Sequence, residues 1–153
     1  MIGISNEELE KILEKHELWL TGDLYGKRAD LSDTDLRQAD LEDANLYNAD
    51  LRGADLEGAN LTDANLTSAN LSDTDLRNVN LRYTDLRGAN LRGANLEGQD
   101  IKALIKAGAI LDKDLMEKYG EPKQRGLDEV AKDAKEASDD LAKGGNVKVQ
   151  PER

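Results

Sequence analysis

One histidine, His16, and a long series of carboxylates are the side chains in this sequence that first suggest acid–base or metal chemistry. Cysteine is absent, which removes thiolate nucleophiles, disulfides and thiolate metal sites. A catalytic imidazole needs a nucleophile or an orienting carboxylate. His16 instead falls within a helical pattern and reads as structural. The recurring Asp and Asn residues invite a calcium reading, but the calcium β-helix signature Gly-Gly-x-Gly-x-Asp does not occur. No P-loop, zinc spacing or nucleophile–base pair is present. No catalytic, cofactor-binding or metal residue is assigned, and the chain reads as a non-enzyme without a cofactor.

Composition narrows the class further. The 153 residues carry a net charge of −11, and aromatics make up 3% with no Phe. A ring-filled core is excluded, because five aromatic side chains cannot supply one. The acidic balance argues against direct binding to nucleic-acid backbones, which takes clustered Lys and Arg. Apolar runs fall far short of the roughly 20 residues that span a bilayer, and no export signal is visible at the N-terminus. A cytoplasmic setting without membrane contact is expected, in keeping with the missing cysteine.

The order of residues carries the strongest signal. Leu recurs every five residues at Leu31, Leu36, Leu41, Leu46, Leu51, Leu56, Leu61, Leu66, Leu71, Leu76, Leu81, Leu86, Leu91 and Leu96, and Ile101 continues the series. The residue before each is Asp or Asn, and the one before that is small, usually Ala. Thr34, Thr74, Val79, Thr84 and Gln99 are the departures. A helix smears such a spacing around its cylinder, and a strand flips successive Leu to opposite faces. A period of five needs a chain that turns a corner in every unit. The small residue and Leu then point inward, while Asp/Asn and the two variable positions face outward or form the corner.

The A-(D/N)-L-x-x units from Ala29 to Ile101 resemble the pentapeptide-repeat family. The resemblance implies an all-β solenoid with helical caps, a right-handed quadrilateral β-helix with four units per lap. Residues twenty apart then stack at about 4.8 Å, giving a tower of about 15–20 Å. The inward columns begin at Leu31, Leu36, Leu41 and Leu46, and the third is expected to end on Ile101.

Four segments follow. Residues 1–28 hold an N-terminal capping helix from Ser5 to Leu20, opened by the capping box Ser5–Glu8, with Tyr25 placed in the cap and Trp19 packed there. Residues 29–101 are the β-helix. Residues 102–125 form a C-terminal helical cap, in two short helices at 102–107 and 111–119. Residues 126–153 carry a polar helix and a frayed tail, which leaves a homodimer through that helix open.

The repeat segment holds fifteen Asp/Glu against six Arg and no Lys, so the negative field belongs to the tower. Asp35, Asp55 and Asp75 stack on one face, beside the alternating Arg37, Glu57, Arg77 and Glu97. Tyr47 and Tyr83 interrupt the polar surface. These five Asp and Tyr residues are the candidate partner contacts. The expected function is that of an interaction or scaffold protein whose rigid acidic faces bind a protein of unknown identity. The resemblance also implies an alternative: some quinolone-resistance relatives bind DNA gyrase in place of DNA, and an acidic tower suits such mimicry.

Overall fold

A unit of five residues that turns a corner must satisfy five backbone N–H groups without a helix or a broad sheet. The computed structural model, which describes residues 1–120, shows how. In the unit Asn60–Ala64, the Asn60 N–H donates down to the Ala39 carbonyl at 2.9 Å and the Leu61 N–H donates up to the Asn80 carbonyl at 2.9 Å. The Thr62 N–H donates to the side-chain oxygen of Asn60 at 3.1 Å. The Asp63 N–H reaches the Arg82 carbonyl at 3.0 Å, and the Ala64 N–H closes the turn on the Leu61 carbonyl at 3.1 Å.

This scheme explains the sequence position by position. The Asp or Asn before Leu accepts the N–H two residues on, from Ser32 at the first unit to Glu97 at the last. Only a short side chain with an acceptor oxygen does this. The corner itself is concentrated on the second variable position, where every residue from Asp33 to Gly98 has a positive φ. Gly, Asn and Asp tolerate that conformation best. The sequence pattern alone allows three positions for the corner, and the backbone uses one.

Stacking follows a single offset. Every isolated bridge joins residues twenty apart, from Asp30 with Asp50 to Asn90 with Ile110. The inward leucines are buried from Leu31 through Leu76, as are Leu86 and Leu91, while Leu81 and Leu96 are half-buried near the C-terminal end. Thr34 and Thr74 fill small-residue positions by donating their hydroxyls to the carbonyls of Leu31 and Leu71. Their polarity therefore costs little in the core.

At the N-terminal end, β1 (Ile2–Gly3) pairs in parallel with β2 (Thr34–Asp35) and extends the second face by one rung. Helix α1 (Asn6–Leu20) starts from Ser5 with both bonds of its capping box formed. It buries Leu9 and His16, with Ile12 and Leu13 packed against the same core. Tyr25 is not part of this packing: it is 84% exposed, on a turn that Asp23 closes through its side chain.

At the other end the period breaks at Asp100, whose carboxylate accepts the Ala103 N–H and starts α2 (Ile101–Lys106). Ile101 is therefore the first residue of a helix and only half-buried, in place of a fifteenth rung. The N-cap preference of Asp100 wins over continuation of the column. The chain then rejoins the tower: Ala109 and Leu111 are buried, and Ile110 bridges Asn90. Helix α3 (Lys113–Tyr119) begins two residues later than the sequence pattern suggested. It packs on α2, while Ile110 and Met116 stay partly exposed. The expected polar helix and tail at 126–153, the dimer contact placed there and the end of the 102–125 segment lie outside the described residues. No helix among the described residues is long and apolar enough to cross a membrane.

Candidate functional site

The outward side chains of the tower are set by the unit that carries them. Where the motif reads Asp-Leu-Arg, the carboxylate that accepts the Arg backbone N–H also takes two bonds from the same guanidinium. Asp35–Arg37, Asp50–Arg52, Asp75–Arg77 and Asp85–Arg87 all make this clasp. In the Asp75 pair, Arg77 Nε and Nη2 donate at 2.9 and 2.7 Å. Planar two-point pairing is the strong form of such contacts. Hydrogen bonds from Arg37 and Arg87 hold the carboxyls of Asp35 and Asp85 down at about 2. Asp50 and Asp75 are lowered in the same direction by Arg52 and Arg77.

Where the motif reads Asn-Leu-Arg, the neutral amide cannot neutralise the cation. Arg82 and Arg92 follow Asn80 and Asn90, and among the described residues neither pairs with a carboxylate. Asp versus Asn at one position thus decides whether the next Arg is tethered or offered to solvent.

The second face brings three candidate residues together. Asp35, Asp55 and Asp75 are bridged in one column. Arg37 also lies 3.7 Å from Asp55, and Arg77 lies 3.4 Å from Glu57. Mutual repulsion in the carboxylate stack is relieved by these guanidinium groups, within and between laps. The face is an ordered array of paired charges.

Tyr47 and Tyr83 do not join that column or each other. Tyr47 is 41% exposed and follows Leu46 on the fourth face of the first lap. Tyr83 lies two laps above Asp43, through the successive bonds from Asp43 to Thr62 and from Asp63 to Arg82. It is 78% exposed and holds a φ of 59°, the corner conformation otherwise given to Gly, Asn, Asp, Ser or Gln. The Arg82 guanidinium lies 6.0 Å from its ring centre. Tyr83 is thus a strained and exposed aromatic beside an Arg that, among the described residues, has no carboxylate partner. Leu24 and Tyr25, both almost fully exposed, form a second apolar projection at the turn after α1. The sequence places Tyr25 in the cap and gives Leu24 no role, since a single apolar pair at a turn carries no period.

His16 is fully buried, its Nδ1 accepting the Ala29 N–H at 2.9 Å and its ring stacked 5.4 Å from that of Trp19. Burial pushes its pKa below the ordinary value. No nucleophile or carboxylate is hydrogen-bonded to it. A groove of about 410 Å³ runs between α1 and the first lap, lined by Leu9, Leu13, Leu36 and Ala39 with Glu10, Asp35 and Arg37 among the polar groups. Among the described residues, no cluster of His, Asp or Glu is arranged to hold a metal ion.

The profile of the family described as pentapeptide repeats matches residues 27–63 and 59–98, in eight copies. Among solved structures, the chain is similar to the pentapeptide repeat protein Rfr23 from the cyanobacterium Cyanothece 51142. The identity is 41% over 56% of this chain and 54% of that one, with a TM-score of 0.46. It is also similar to a pentapeptide repeat protein from the Arabidopsis thaliana thylakoid lumen, at 31% identity over 42% of this chain and 52% of that one, with a TM-score of 0.34. QnrB1, a plasmid-mediated fluoroquinolone resistance protein, matches at 18% identity over 62% of this chain and 72% of that one, with a TM-score of 0.35. The chain spans about half the length of the first two of these proteins. A comparison with curated proteins gave no match.

Proposed function

Because residues 27–98 make this chain a member of the pentapeptide-repeat family, we propose that it is a non-enzymatic interaction protein whose tower presents fixed side-chain arrays to a protein partner. The carrying observation is the state of the outward side chains. Four Asp–Arg clasps hold long side chains in one geometry before any partner arrives. Binding such a face costs less side-chain entropy than binding a free one. Tyr83, with Arg82 beside it, supplies an aromatic anchor of the kind that dominates interface energetics. Asp35, Asp55 and Asp75, with Arg37 and Arg77, supply a stacked array of paired charges. A cytoplasmic setting, and the absence of catalysis and of cofactors, belong to the same reading.

DNA mimicry, as with a partner such as DNA gyrase, is the weaker reading. A mimic presents uncompensated phosphate-like charge, yet four of the fifteen repeat acids are each bound by their own Arg.

The test is affinity capture with the full chain as bait, beside a Tyr47→Ser, Tyr83→Ser double variant. The reading expects a partner retained in stoichiometric amount by the wild type and lost by the variant. Turnover of a small molecule abolished by one substitution, in a chain that retains no protein, contradicts it. Inhibition or protection of gyrase at micromolar concentration favours mimicry.

A further inference from the structure

The junction of α1 with the tower is held by a group that can carry a proton. His16 Nδ1 is the acceptor for the Ala29 N–H at 2.9 Å, in a site with no solvent access. An imidazole that accepts at Nδ1 is neutral and carries its proton at Nε2. That Nε2 is buried and has no hydrogen-bond partner. Adding a second proton would set an N–H at Nδ1 against the N–H of Ala29, and would place a cation in a buried site. Both outcomes oppose docking.

We infer that His16 is an acid-sensitive latch: its protonation releases α1 from the first lap of the tower while the laps above stay folded. The charged groups near the ring do not cancel the effect. Glu17, on α1 itself, favours the charged ring, whereas Arg28, on the lead-in to the first lap, opposes it. Burial is the largest influence and also opposes it, outweighing the Tyr47 backbone, which favours the charged ring. The docked ring therefore binds protons less readily than the released one. Docking is at full strength above about pH 6.5, the ordinary value for His, and weakens as pH falls below it. The loss is up to about tenfold in the docking equilibrium per pH unit, as follows for one proton.

The Asp–Arg clasps with the lowest carboxyl values titrate well below that interval. The clasped carboxyls of Asp35 and Asp85 stay ionised down to about 2. Release of the helix and loss of these two clasps are thus separate events.

Trp19, the one tryptophan of the chain, stacks on His16 and reports the junction directly. The experiment follows Trp19 emission of the full chain from pH 8 to pH 4, beside His16→Asn. The Asn side-chain oxygen can still accept the Ala29 N–H but cannot titrate. A transition below pH 6.5 in the wild type, absent from the variant, supports the latch. A flat wild-type profile, or the same transition in both proteins, overturns it. Should the variant not fold, amide exchange in the wild type decides. Protection of Ala29, corrected for intrinsic rate, is expected to fall below pH 6.5 while that of Leu61 holds. Parallel loss at both amides, or no loss at Ala29, overturns the latch.

Discussion

The backbone N–H of Leu91 donates to the carbonyl of Ile110 at 2.7 Å, repeating the bond from Leu71 to Asn90 one lap below at 2.8 Å. The first face therefore has a rung beyond the last pentapeptide. Residues 101–108 leave the tower, form α2, and return the chain in register.

Leu111 completes that column at 2% exposure. Leu111→Ala is expected to destabilise the chain by about 2–5 kcal/mol, the range for emptying a buried Leu site. Leu96→Ala, at a half-buried site, is expected to cost clearly less. Urea denaturation of the full chain checks both. Equal effects would remove Leu111 from the core.

Ordinary sequence rules could read the columns because each position has one dominant physical demand. Leu fills the interior, the small residue leaves it room, and Asp or Asn accepts the N–H two residues on. Ile101 was misassigned because it keeps the spacing of five, although Asp100 is equally suited to start a helix. Leu111 was missed as a rung for the opposite reason. Ala109–Ile110–Leu111 keeps the inward pair but has Ile where Asp or Asn stands, and a helix separates it from the repeats. Only its distance of twenty from Ala89–Leu91 marks it. Ile2–Gly3 is too short to show any period, and its pairing with Thr34–Asp35 is a tertiary choice. The Asp–Arg clasps were half legible: the alternation down the second face pointed to stacking pairs, whereas the stronger contact lies within each unit.

Asp75 has two duties, and two substitutions separate them. Asp75→Asn keeps the acceptor for the Arg77 N–H and loses the ion pair, so a cost under about 1 kcal/mol is expected, typical of an exposed pair. Asp75→Ala loses both and leaves the Arg77 N–H without its acceptor, for an expected cost of about 1–3 kcal/mol. Thermal or urea unfolding reads the difference. An Asn variant as damaged as the Ala variant would make the ion pair the principal contribution.

Tyr83 holds a backbone conformation that costs a non-Gly residue roughly 1–2 kcal/mol. Tyr83→Gly is expected to leave stability unchanged or raise it slightly, while weakening capture of the partner. A strongly destabilised variant would assign the ring to packing.

Glycine at 108 meets the reverse demand. Its φ is 89°, and an added Cβ would lie 3.1 Å from the Arg87 Cα. Gly108→Ala is expected to destabilise the C-terminal end of the tower by about 1–2 kcal/mol, the cost of a left-handed Ala. Local amide exchange at Leu91 is the sensitive readout, and unchanged protection there would contradict the assignment.

The clasped carboxylates set an acid limit. Asp35 and Asp85 have folded values of about 2 against an ordinary 3.8, so their contribution is present above about pH 3.8 and is lost as pH falls toward 2. The double variant Asp35→Asn, Asp85→Asn is expected to show a shallower stability loss across that interval. Far-UV circular dichroism with urea at fixed pH checks it, and identical slopes would contradict it.

All of these expectations rest on a lap of twenty residues, and the natural lack of cysteine allows that number to be measured. Thr62→Cys with Arg82→Cys places two thiols on one face in adjacent laps, at about the 4.8 Å strand spacing and within disulfide reach. Thr62→Cys with Arg77→Cys places them fifteen apart, on different faces. Rapid crosslinking of the first pair under mild oxidation, with none in the second, is the predicted result. Crosslinking of the second pair in preference to the first would contradict the four-unit lap and the faces built on it.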